Sequence, residues 1–431
     1  MCDSMRPYRK PHGDSVRTIF RNVLLVAVCL PMSIVSAQYG GGSGTEGSPF
    51  LITTAEEFAA IGDNAADWDK HFRLMNDIDL SGYSEANFHL IGHWVGLGST
   101  ENRPFAGVFE GNGKAIVNFR YKDIHLEYLG LFQHVVGTIR NLKLVRATVI
   151  GGGFGTGALI GYLEKGGISG CSAVQVDASG NWRVGGLVGS TEGLIHSSSS
   201  TGQVSGVQYV GGLIGYINGQ GTVAFSYSKA DVVGSESVGG LVGATAKVES
   251  LVDSCYAMGR VDGGVNVGGL VGQVIMGTVF KCFSTGEVSG NDYVGGLVGH
   301  KRNLDEAVVM GSVWDTETSK QAESPGGVGK TTAEMKSYDT YAAFAWMFPQ
   351  QWVLWCEGVN YPVLTWQMPA ADVTCPNGVD FRDFARFALD WRRDDCRAFD
   401  AYCYGSDLDE SGSVDPRDLA SFAESWLVGV D

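Results

Sequence analysis

One phrase returns six times through the middle of this chain, first as GALIG ending at Gly161. It then recurs as VGGLVG or VGGLIG ending at Gly189, Gly215, Gly243, Gly272 and Gly299. The leucines inside it (Leu159, Leu187, Leu213, Leu241, Leu270, Leu297) stand 26 to 29 residues apart, and Leu131 in GLF extends the series backward. A fixed period in this range marks a solenoid, in which each unit buries its apolar face only by stacking on its neighbours. Such a fold is first a long surface. It becomes an enzyme only where reactive side chains are grafted onto it.

Within each unit an apolar residue follows the leucine by eight to eleven positions, and a second follows nine later: Ile195/Val204, Val223/Val232, Val252/Val261, Val279/Val288. Short β-branched segments bounded by Gly and Ser predict about three strands of about four residues per coil. Stacked coils place equivalent strands about 4.8 Å apart. The expectation is a right-handed parallel β-solenoid. Cys171, Ser198, Ser226, Cys255 and Cys282 share one register position and predict a stacked column of small side chains with buried free thiols. One residue later stand Tyr227, Tyr256 and Phe283. Neighbouring strand residues face opposite ways, so these rings either form an outer stacking strip for a glycan or fill core.

The ends set the domain boundaries. Basic residues before the apolar run Val23–Ile34, then Val35-Ser36-Ala37, predict a secretory signal over 1–37. A Gly-rich leader (38–48), an N-terminal cap with first coils (49–125), the repeats (126–312) and a C-terminal cap (313–368) follow. Thr53-Thr54-Ala55-Glu56-Glu57 reads as an N-cap followed by a short helix toward Ile61, and the aromatic-rich stretch Tyr338–Trp366 is expected to lie over the last coil as a lid. The remaining 369–431 are a small separate module. After signal cleavage no further segment is apolar for long enough to span a bilayer, so a secreted or cell-surface location is expected. The net charge of −16 comes without a basic stripe, which argues against nucleic acid as a partner.

The phrase VGGLVG followed by S-T-G-x-V-x-G, as in Ser200–Gly206 and Ser284–Gly290, resembles the GLUG motif of bacterial surface and exported proteins. The resemblance runs over about residues 50 to 366. It implies an adhesin or, in some members, a zinc metallopeptidase related to the immunoglobulin A proteases. The peptidase does not carry over, because the chain has no H-E-x-x-H.

Asp407-Leu-Asp-Glu-Ser-Gly-Ser-Val-Asp-Pro-Arg-Asp418 reads as an EF-hand-type Ca2+ loop. Asp407, Asp409 and Ser411 supply side-chain oxygens, Ser413 its carbonyl, Asp415 a water-mediated contact and Asp418 a bidentate carboxylate, with Gly412 at the sharp turn. The pattern Val379–Trp391 recurs as Val414–Trp426 at a separation of 35. Two such units resemble a type I dockerin, the calcium-folded, all-α plug that docks on a cohesin. The resemblance makes Phe381, Arg382, Pro416 and Arg417 candidate partner contacts. The first loop departs from the pattern at Thr374, Pro376 and Asn377, so one ion is expected rather than two. Cys356, Cys375, Cys396 and Cys403 leave the disulfide pairing open.

Gly329-Lys330-Thr331-Thr332 lacks the first glycine of a phosphate-binding loop and reads as a cap loop. In the repeats, acidic and basic residues are scattered and form no column. Only Asp77, Asp79, Glu110 and Asp123 are dense enough to be weighed as catalytic, and turn-capping explains them. The chain therefore reads as an exported, non-catalytic adhesion or glycan-binding scaffold held in an assembly through a calcium-dependent plug. A β-helix polysaccharide lyase or glycoside hydrolase acting on plant or algal polymers is the alternative.

Overall fold

Each coil opens on a three- or four-residue strand whose inward residue is Phe, Ile or Val. In a computed structural model, which describes residues 38–354, 357–367, 379–396, 406–408, 411–424 and 426, ten such strands stack in parallel. They run from Phe50–Ile52 to Ala307–Met310, with Phe109, Ile139, Ile168 and Ile195 in register and fully buried. A second parallel sheet of seven strands, Phe132–Val135 to Val298–Lys301, follows the repeat leucines.

The leucines form one row. Leu187 N–H donates to the Leu213 carbonyl (3.0 Å), Leu213 to Leu241 (2.9 Å), Leu241 to Leu270 (2.9 Å) and Leu270 to Leu297 (2.8 Å). Their side chains are buried in the main core. The glycines follow from the same closeness. A Cβ on Gly243 would stand 2.4 Å from the Gly215 carbonyl oxygen and 2.4 Å from the Tyr209 carbonyl carbon, inside any allowed contact.

The third face departs from the expected short strands. Its strands reach 14 residues (Ser172–Gly185) and 13 residues (Ser199–Gly211). They bend to enclose a second small core of Ala178, Val184, Val204, Val210, Val232, Val238, Val261, Val267 and Val288. Val204 and its equivalents therefore bury against this side lobe and not against the leucines.

The corner between the first and third faces explains the Cys/Ser column. The preceding residues Ser197, Phe225, Ser254 and Lys281 hold φ of 47°, 49°, 52° and 50°. This left-handed conformation costs roughly 1 kcal/mol per non-glycine residue. It sets the next N–H along the axis, where the following coil's side chain accepts it: Ser198 N to Ser226 Oγ (3.1 Å), Cys255 N to Cys282 Sγ (3.3 Å), Cys282 N to Ser312 Oγ (3.0 Å). Each hydroxyl or thiol in turn donates to the carbonyl two residues back, as Ser226 Oγ does to Ala224 (2.8 Å). The column is an internal hydrogen-bond ladder. Cys171, Cys255 and Cys282 are free and buried, and burial pushes the Cys171 thiol up to about 12.

At the N-terminal end Thr54 forms a capping box with Glu57 and starts the helix Ala55–Asp63, which buries Phe58 and Ile61. At the other end Val313–Asp315 closes the last coil, and Asp315 is fully buried. Its carboxylate accepts from the Glu317 and Thr318 N–H groups, Thr332 Oγ1 (2.7 Å) and the Tyr361 hydroxyl (2.6 Å). Thr331 and Glu334 form a capping box, so the Gly329–Thr332 stretch is a strand end and helix start. Beyond it, helices Phe381–Leu389 and Pro416–Glu424 share a core of Val379, Phe387, Cys396, Val414 and Phe422. Residues 1–37, the expected signal, lie outside the described residues.

Replacing Cys282 with Ser keeps an acceptor for the Cys255 N–H and should change stability by less than about 1 kcal/mol. Replacing it with Ala orphans that N–H and should cost about 1–3 kcal/mol in urea unfolding; equal effects of the two changes would contradict the ladder.

Candidate functional site

The aromatic column is outside the solenoid wall, yet it is not open to solvent. Tyr227, Tyr256 and Phe283 stack with centroids 4.9 Å apart and interplanar angles of 4° and 7°. Tyr256 and Phe283 are 0% exposed. Trp346, Trp352 and Tyr361 from the C-terminal cap lie within 6.4 Å of the Phe283 ring, and Trp352 also meets Tyr256 at 6.2 Å. The cap is fastened by Trp366 Nε1 to the Phe225 carbonyl (2.8 Å) and Gln367 Nε2 to the Tyr256 hydroxyl (2.6 Å). The segment expected as an end lid is thus a strap along the flank, reaching back to the coil of Phe225. The column gives the rings of the strap an apolar face to pack on, and burying the two together stabilises both. A sugar has no access to Tyr256 or Phe283, which corrects the reading of these rings as a glycan platform. Tyr227, at the open end of the row, stays half-buried, with Lys229 Nζ 5.6 Å from its centroid.

In the C-terminal module the loop before Pro416–Glu424 is organised by two carboxylates. Asp407 Oδ1 accepts from the Ser411 N–H (3.0 Å) and Oδ2 from the Gly412 N–H (2.8 Å), with Gly412 at φ +93°. Asp418 Oδ1 accepts from the Leu408 N–H (2.6 Å) and Oδ2 from the Asp415 N–H (2.7 Å). Asp407 is 3% exposed and Asp418 0%. Ser411 Oγ meets the Ser413 carbonyl at 3.3 Å, and Asp415 pairs with Arg417 at 2.9 Å. Asp409 lies outside the described residues, and among those described no three His, Cys, Asp or Glu side chains converge. The oxygen groups named here are of the type a hard cation such as calcium takes.

The first half-module repeats this geometry at its helix start, just past Thr374, Pro376 and Asn377, where the sequence departs from the ligand pattern. Asp380 N–H donates to Asp383 Oδ2 (2.8 Å), and Arg382 N–H to Asp380 Oδ1 (2.6 Å). The second half has the same pair, Asp415 N–H to Asp418 and Arg417 N–H to Asp415, each at 2.7 Å. Subtracting the 35-residue separation from Asp415 and Asp418 would have found Asp380 and Asp383. Asp372, Thr374, Cys375, Pro376, Asn377, Cys356 and Cys403 lie outside the described residues, while Cys396 is disulfide-bonded. The four candidate contacts Phe381, Arg382, Pro416 and Arg417 are all exposed, Phe381 at 77%. Phe381, Phe384, Leu419 and Trp426 line an apolar surface depression of about 400 Å3.

The first-coil carboxylates are each engaged locally. Asp77 accepts from the Ala115 N–H, Asp79 from the Ser81 N–H and Asn118, and Asp123 from the His125 and Leu126 N–H groups. Glu110 pairs with Arg140 (2.6 Å) and accepts from Asn112 and Asn141. These are turn caps and an ion pair, not a convergent acid–base set.

Residues 180–205 match the family model of the GLUG motif. Halomucin of Haloquadratum walsbyi is 29% identical over 264 residues, 54% of this chain and 3% of its own length. A protein of Evansella cellulosilytica, provisionally named a Gly-rich membrane protein, is 35% identical over 130 residues, 29% of this chain and 14% of its own. The chain thus spans a small part of either relative. A crystal structure from Bacteroides ovatus, provisionally named an immunoglobulin A1 protease, superposes with a TM-score of 0.51 at 22% identity. That likeness covers 76% of this chain and 96% of the other, and it shows a shared fold.

Burial holds the Tyr256 and Tyr341 phenols above their ordinary value, so the folded strap favours their neutral form. Their contribution to stability is complete below the unfolded pKa of about 10 and is lost as pH rises past it. The emission of Trp346 and Trp352 should shift to the red above about pH 10, and Tyr256→Phe should move that shift to higher pH. The same onset of the red shift for wild type and Tyr256→Phe would contradict a buried Tyr256 phenol as its cause.

Proposed function

We propose that this protein is an exported, non-catalytic adhesion or glycan-binding scaffold, anchored through a calcium-dependent, dockerin-like C-terminal module. The observation that carries the scaffold reading is the parallel stack itself: Asp77, Asp79, Glu110 and Asp123, the acidic set of its first coils, are spent on turn caps and an ion pair. The names of the two matched relatives, a halomucin and a Gly-rich membrane protein, fit a surface location for this chain. Among the described residues no helix is long and apolar enough to cross a membrane.

Support for the anchor comes from the two buried carboxylates at the ends of one loop and from the repeated Asp–Asp pairs at both helix starts. Asp407, Ser411, Ser413, Asp415 and Asp418, with Asp409, would hold one calcium ion. Asp380 and Asp383 preserve the corresponding end of the first loop. Such a small module buries little core, so its folding is coupled to the ion. The exposed Phe381/Arg382 and Pro416/Arg417 pairs sit at equivalent positions and would face a cohesin-like partner.

Chelation should melt the C-terminal module alone, leaving the solenoid's β signal in circular dichroism intact, and Asp418→Asn should reproduce this without chelator. A single chelator-sensitive transition of the whole chain would contradict the division. Incubation with plant and algal polysaccharides should give retention without new reducing or unsaturated ends; formation of such products would replace this reading with the lyase or hydrolase.

A further inference from the structure

Where the seven-strand sheet meets the long third strands, two columns run side by side along the axis. The sheet contributes Tyr162, Ser190, Tyr216, Ala244, Gln273 and His300 at one register position. The third face contributes Arg183, Tyr209, Ser237, Asn266 and Tyr293, held at φ of 54°, 59°, 55°, 57° and 52°. Contacts bridge the columns at Tyr216, Gln273 and His300: Arg183 sits 4.4 Å over the Tyr216 ring, Tyr209 stands 4.9 Å from Tyr216, Ser237 Oγ donates to Gln273 (3.3 Å), and Tyr293 lies 5.1 Å from His300.

Two large rings extend this seam into solvent. Phe154 is 46% exposed and Trp182 43%, although the chain buries Phe105, Phe109 and Phe132 completely. Phe154 meets Trp182 at 6.1 Å, and Trp182 meets Tyr209 at 6.4 Å, so four rings from Phe154 to Tyr216 touch in sequence across three coils. Hydrogen-bonding groups lie beside them. Glu192 accepts from the Tyr162 hydroxyl (3.0 Å) and Asn218 (2.9 Å), and the Arg183 Nε is buried without a hydrogen-bond partner among the described residues.

We propose that the seam centred on Phe154, Trp182, Tyr209 and Tyr216 is a docking strip for an uncharged polysaccharide. It rests on the glycan-binding branch of the function proposed above and names the surface that carries it. A pyranose offers an apolar C–H face to a ring and hydroxyls that both donate and accept, which suits rings interleaved with a carboxylate, an amide and a guanidinium. Rungs repeating about 4.8 Å apart match an extended, repeating ligand. Charge selects among polymers. Glu127, Glu164 and Glu192 bond to ring groups of the seam's N-terminal end (Trp94, His134 and Tyr162), against the one guanidinium of Arg183 over Tyr216, and the chain carries a net charge of −16, so a polyanion is disfavoured.

The full chain should be retarded in native gels containing an uncharged soluble polymer, tested with mixed-linkage glucan, xyloglucan and galactomannan, and not in gels containing polygalacturonate. Trp182→Ala should weaken retardation about fivefold to tenfold, Trp182→Tyr should keep most of it, and neither should move the thermal midpoint, since the ring is exposed. Retardation of wild type that survives the Phe154→Ala/Trp182→Ala double change overturns the strip and leaves the glycan-binding function standing. No retardation by any uncharged polymer overturns both, and retardation by polygalacturonate alone overturns the uncharged ligand.

Discussion

The close parallel approach of successive backbones at the leucine row is the contact on which the rest depends. Leucine N–H groups donate to the next coil's leucine carbonyl, and the flanking glycines let the sheet and the third face approach where any Cβ would collide. Once that spacing is set, every residue at one register position is carried onto its equivalent in the next coil. Single positions become columns: an apolar one in the core, a hydroxyl and thiol one at the corner, an aromatic one on the flank. Each column must then satisfy itself along the axis, because its lateral surroundings are fixed by the coil.

The columns outside the main core solve that problem differently, and a further aromatic seam is not covered at all. The Cys/Ser column closes into hydrogen bonds between coils, which offsets the left-handed backbone before it. The Tyr227–Phe283 row stacks its rings and is then covered by the strap that carries Trp346 and Trp352. The seam of Tyr209 and Tyr216 is left open, with Trp182 beside it in solvent. Two aromatic rows of similar composition thus have opposite fates, and the difference lies in what the chain beyond residue 313 folds over.

The C-terminal module follows another logic. Its core is a handful of side chains, and its loops are organised by buried carboxylates that take backbone N–H groups. Long-range order in the solenoid comes from repetition; here it would come from charge gathered around an ion. The near-identical Asp380–Asp383 and Asp415–Asp418 contacts show that the duplication extends to the helix starts, including the half whose loop sequence has drifted.

The sequence by itself determined what repetition determines: the period, the leucine row, the stacked Cys/Ser column and the parallel stacking; the short capped helix at the N-terminal end was legible from its own local signal. These are local choices multiplied by a fixed register, so reading one unit reads them all. The bent third strands with their side core, the strap over Tyr256 and Phe283, and the exposure of Phe154 and Trp182 belonged to the tertiary structure. They arise between segments far apart in the chain, as when Trp366 bonds to Phe225 across 141 residues, and no period in the sequence encodes such a contact. A side chain's facing is a property of its strand; whether anything covers it is a property of the whole fold.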